Sequence, residues 1–91
     1  MKSIKRLRKS AAKKMQKHYR VYLRAISRSI EKDACDGRTI FEFEIQEGTL
    51  PVEQDALVKV SEALEKRGFI VEREWDDKLL TKLRFKMPEE G

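Results

Sequence analysis

Cysteine and histidine occur once each in this 91-residue chain, and proline only twice. A single cysteine cannot build a disulfide framework within one chain, and one Cys with one His is too few for a structural zinc site. Cys35 is therefore expected as a reduced thiol in a cytoplasmic protein. No apolar run exceeds three residues, as in Phe69-Ile70-Val71, so no segment suits a bilayer span. The basic amino terminus has no apolar stretch behind it and is not expected to act as a secretory signal. The four glycines stand apart, and no G-x-x-x-x-G-K-[ST] loop is present to cradle a phosphate.

What the chain has in quantity is charge. Charged residues make up 41% and hydrophobic residues 40%, a balance that still folds. Ninety-one residues suit one domain, which should bury roughly 60–65% of its unfolded surface. The formal net charge of +5 conceals two opposite parts. Residues 1–32 hold twelve lysines and arginines against Glu31 alone, a net +11. Residues 33–91 hold nine basic against fifteen acidic residues, a net −6. Such asymmetry speaks of partners rather than of fold. A merely solvated face would mix the two signs.

From Ile4 to Ile30 apolar residues recur at Ile4, Leu7, Ala11, Met15, Tyr19, Tyr22, Ile26 and Ile30. These steps of three and four define one stripe of a long helix, with most basic residues opposite and Arg8 the main exception. The helix should end over Asp33–Gly37, where Gly37 suits a left-handed cap. The period then changes. Phe41, Phe43 and Ile45 alternate with Glu42 and Glu44, as in a half-buried strand. Pro51 suits the first turn of a second helix, whose apolar stripe is Val52, Ala56, Leu57, Val60, Ala63 and Leu64. Gly68 should close that helix, with Phe69 as the hydrophobic contact of a Schellman-type cap. Phe69–Trp75 and Leu79–Met87 read as two further strands about an Asp76-Asp77 turn.

The outward charges suggest how the strands pair. Strands one and two present Glu42, Glu44, Glu72 and Glu74, while strand three presents Lys82, Arg84 and Lys86. Opposite charges across a ladder contribute roughly 0.2–1 kcal/mol each, whereas like charges repel. Placing the basic strand in the middle satisfies both neighbours and makes each pair antiparallel. The expected fold is thus α+β, an αβαββ chain with a three-stranded antiparallel sheet in order 1-3-2. One face would be covered by helix 2 and by the carboxy-terminal part of helix 1, with a right-handed crossover through helix 2. Met15, Tyr22, Ile26, Phe41, Phe43, Leu57, Val60, Leu64, Val71, Leu83 and Phe85 should form the core. A helix over residues 4–34 would run about 46 Å, against about 30 Å for the diameter of a compact chain this long. Residues 1–14 are therefore expected as a basic, helical arm, residues 15–87 as the α+β domain and residues 88–91 as a polar tail.

Little points to catalysis. His18 lies among Lys13, Lys14 and Lys17, without a nearby carboxylate to orient it. Cys35 sits beside Asp33 and Asp36, which weaken a thiolate. The acidic pairs match neither a calcium loop nor a recognisable glycosidase pair. No enzyme and no cofactor is expected. The basic helix carries the remaining signal, because phosphate binding by counterion release needs charge density rather than a motif. The expected phosphate contacts are Lys2, Lys5, Arg6, Lys9, Lys13, Lys17, Arg20 and Arg24, to DNA or RNA alike. No base-reading motif accompanies them, so sequence specificity should be low. His18, Tyr19 and Tyr22 offer rings for stacking on a single strand, though both tyrosines also belong to the core-facing stripe.

Residues 41–87, with "FEFEI", "ALEKRGFIVE" and "LRFKM", resemble small phage-encoded αβ proteins of uncharacterised function. The resemblance implies an alternating strand, a helix ending in a Gly-Phe turn and a final hairpin. It also implies a nucleic acid or a host protein as partner, and transfers no site residue. The alternative function is therefore a protein-interaction module, an inhibitor or adaptor, presenting the helix to an acidic protein through Ile4, Leu7, Ala11 and Met15. A membrane surface is disfavoured because the amino-terminal stripe is largely alanine. Self-association remains open, with the basic face set against the helix carrying Glu53, Asp55, Glu62 and Glu65.

Overall fold

Two glycine-closed helices frame the molecule. A computed structural model describes residues 3–88 as α1 (Ile4–Cys35), β1 (Ile40–Glu44), α2 (Pro51–Lys66), β2 (Ile70–Asp76) and β3 (Leu79–Lys86). Helix α1 starts where the Ser3 side chain accepts a hydrogen bond from the Arg6 amide. It ends in a Schellman motif, with the Gly37 amide donating to Ala34 O and the Arg38 amide to Asp33 O. Helix α2 repeats the device, with Gly68 donating to Glu65 O and Phe69 to Leu64 O. Gly37 and Gly68 have φ of 86° and 107°, values that a side chain would strain. Pro51 opens α2 at its first helical position, where no intrahelical amide is lost.

The sheet is three-stranded and antiparallel in the order β1-β3-β2. Four register pairs join opposite charges on the open face: Glu42 and Glu72 both face Arg84, and Glu44 and Glu74 both face Lys82, while Lys86 faces Ile40 and Ile70. The reasoning from cross-strand charge thus gives the strand order, with Lys82 and Arg84 set directly opposite glutamates. On the covered face Phe41, Leu83 and Phe85 pack with Ile26, Ile30, Leu57, Val60 and Leu64. Tyr22, Phe43 and Val71 are partly buried against this core.

Two core details depart from simple alternation. The register passes from Glu74–Lys82 to Trp75–Leu80, leaving Thr81 as a bulge whose hydroxyl donates to Glu74 O. The bulge turns Leu80 inward, where it is buried, although its spacing from Lys82 would place it outward. Gln54 then supplies both backbone hydrogen bonds of Leu80, donating to its carbonyl at 3.1 Å and accepting from its amide at 2.8 Å. Met15, expected in the core, instead lines an open groove between α1 and α2.

The molecule measures 56 × 25 × 21 Å, with a radius of gyration of 15.1 Å against about 12 Å for a compact chain. The excess length belongs to α1. Its residues 3–14 are all exposed, and Met15 is the first with partial burial. Among the described residues no helix is long and apolar enough to cross a membrane.

Candidate functional site

The basic residues of α1 can be placed by the helix itself. Over an unbroken helix from Ile4 to Cys35, each residue advances about 100° and 1.5 Å. Arg6, Lys9, Lys13, Lys17, Arg20, Arg24 and Arg28 then fall within a sector of about 100°, extending about 33 Å along the axis. All seven are exposed. Six had been singled out from the sequence; Arg28 completes the row, one turn beyond Arg24. Its signal was present, since it continues the same three- and four-residue spacing. Lys5 is also exposed but lies about 40° outside the sector, towards the groove side of the helix. Lys2 lies outside the described residues.

None of these cations forms an ion pair among the described residues, whereas those of β3 do. Glu42 accepts from Arg84 Nη2 at 2.8 Å and faces Lys82 Nζ at 3.1 Å; Glu72 lies 2.8 Å from Lys86 Nζ and 3.4 Å from Arg84 Nη1. Hydrogen bonds from Lys82 and then Arg84 hold the Glu42 carboxyl below its ordinary pKa. Lys86 does the same for Glu72. The bond to Glu42 in turn raises the Arg84 guanidinium. The glutamates are exposed and the three cations half-exposed, so the pairs' worth to stability is small, but each cation has a carboxylate partner.

The three rings of α1 divide differently from their sequence spacing. Tyr22 donates its hydroxyl to Glu53 Oε2 at 3.0 Å, and burial, then this bond, raise its pKa. His18 stacks on Tyr22, ring centroids 6.2 Å apart. Both are thereby occupied within the fold. Tyr19 packs partly on the core but also lines the α1–α2 groove, whose volume is about 600 Å³. Lys59, Lys66 and Arg67 of the second helix and its cap stand in the same groove, opposite Met15 and Tyr19.

Residues with catalytic potential do not converge. Cys35 is exposed at the end of α1, and no group of three metal-ligating side chains occurs among the described residues. Arg73 points under the sheet, donating to the buried Ser61 hydroxyl at 2.9 Å and lying 3.6 Å from Glu65, an internal brace between β2 and α2. No protein-family model matches this chain, and no curated protein or solved structure does either.

Proposed function

We propose that this protein is a small non-enzymatic binding protein that engages nucleic acid through the phosphates. Its α1 row of Arg6, Lys9, Lys13, Lys17, Arg20 and Arg24 makes the contacts, and Arg28 extends it. One observation carries the reading: seven exposed cations without an ion pair among the described residues share a single helical face, while the cations of β3 are paired with neighbouring glutamates. A row of this kind gains affinity by releasing condensed counterions, without regard to base sequence. Fluorescence anisotropy with labelled duplex DNA, single-stranded DNA and RNA tests it. Six to ten phosphate contacts weaken binding by about 10³- to 10⁵-fold between 50 and 200 mM salt. Absence of binding at the lower salt rejects the proposal.

A second reading has its own observation. Ile4 and Leu7 are 70% and 53% exposed on the arm, positions suited to anchoring the helix in the groove of an acidic protein. Leu7→Asp separates the two, since it spoils an apolar anchor while leaving the cationic row intact.

A further inference from the structure

The groove between α1 and α2 is a second feature of the charged surface, distinct from the outer row. Its floor is Met15, Tyr19 and Ala63, and one wall carries Lys59, Lys66 and Arg67. Among the described residues Glu62 is the single acidic one lining it, and none of these four charges is tied up in an ion pair. The α1 face that lines the groove continues into the exposed arm. Arg8 lies eleven residues before Tyr19, and Lys5 eleven before Gln16, which also lines the groove. Eleven residues are just over three full turns, so Arg8 and Lys5 stand in line with the groove about 16 Å further out along α1. Arg8 breaks the amphipathic pattern of the arm; on the same face as the groove, it and Lys5 continue the groove's charge.

We infer that this groove takes a stretch of single-stranded nucleic acid, its phosphates on Lys59, Lys66, Arg67 and Arg8 and a base on the ring of Tyr19. The inference rests on the reading of the protein as a phosphate binder and adds to it the form of the ligand and a second contact surface. Charge complementarity names an anionic polymer. The geometry narrows it, because a surface groove of about 600 Å³ along the seam of two helices can seat a base and its phosphates but not a double helix. Basic walls with an aromatic floor are how single strands are held without sequence preference. Tyr19 is the ring left for this role, since Tyr22 is bonded to Glu53 and His18 lies against Tyr22. A duplex, too wide for the groove, would rest on the outer row.

The test compares a labelled deoxythymidine oligomer of about ten nucleotides with a duplex of equal length, by anisotropy on the full chain at low salt. Tyr19→Leu keeps apolar bulk against the core and removes the ring. It should weaken the single strand by about 5- to 150-fold and the duplex by less than about twofold. The exposed double substitution Lys59→Gln/Lys66→Gln does not touch the core. It should lower the single-strand salt slope by about 1.4 and leave the duplex slope unchanged. If both groove variants bind the oligomer like the parent, while Lys17→Gln/Arg24→Gln weakens both ligands, the groove inference falls and the phosphate reading stands. Equal losses for strand and duplex in the groove variants also overturn it. If the parent binds neither ligand at about 50 mM salt, the phosphate reading itself fails and the inference with it.

Discussion

Strand β3 and helix α1 are both rich in cations, yet they offer them very differently. Lys82, Arg84 and Lys86 stand in the middle of a sheet, each within 3.1 Å of a glutamate on a flanking strand. The row from Arg6 to Arg28 has no carboxylate partner among the described residues. A sheet brings other strands, and their charges, alongside every side chain on a face. The outward face of a helix, alongside the body or past it, has no such neighbours. Availability, rather than the number of basic residues, separates a fold device from a binding surface.

Four interventions break or sharpen this contrast. The largest effect is expected from replacing Lys9, Lys13, Lys17, Arg20, Arg24 and Arg28 together by Gln. The slope of log affinity against log salt for duplex DNA should fall by about five, with a far-UV circular dichroism spectrum unchanged in shape. Next come paired truncations in body and arm. Leu83→Ala, in the fully buried core, should cost about 2–5 kcal/mol in urea unfolding. Leu7→Ala on the exposed arm should change stability by less than about 0.5 kcal/mol, and removal of residues 1–14 should leave the body folded.

The third intervention makes the sheet resemble the helix. Glu42→Gln with Glu72→Gln releases Lys82, Arg84 and Lys86, and the salt slope for nucleic acid should steepen by about one to three. The same variant should flatten the acid side of the stability profile. Both carboxyls have folded-state pKa values below the unfolded 4.5, so their contribution is complete above that pH. It is lost as pH falls through the lower folded-state values; thermal melts between about pH 5 and pH 2 will show it. The smallest effect is expected at Ser27, whose buried hydroxyl has no hydrogen-bond partner among the described residues. Ser27→Ala should be neutral or stabilise by up to about 1 kcal/mol in the same unfolding assay.

Much of the architecture was legible because it is written in local chemistry. Gly37 and Gly68 marked both helix ends, and alternating charge on three strands dictated the order β1-β3-β2. Leu80 escaped because a bulge at Thr81 reverses its face, and a single inserted residue leaves no trace in an alternation that short. The Gln54 bonds to Leu80 were equally hidden, since they depend on where α2 begins relative to the hairpin, 26 residues away. Of the candidate site, the cationic row was readable from spacing alone. The groove was not: Lys59, Lys66 and Arg67 look like ordinary surface charges on α2 until packing sets them opposite Met15 and Tyr19. Packing also decided between the rings, tying Tyr22 to Glu53 and leaving Tyr19 at the groove.

The most direct test of the central claim is a map of backbone amide shifts by ¹⁵N NMR as an unlabelled duplex is titrated in. Shifts and broadening concentrated between Lys5 and Arg28, with Lys82, Arg84 and Lys86 unmoved, are the predicted result. Perturbation of the sheet face with α1 unchanged would contradict it, because neutralised cations would then be binding while unpaired ones were not.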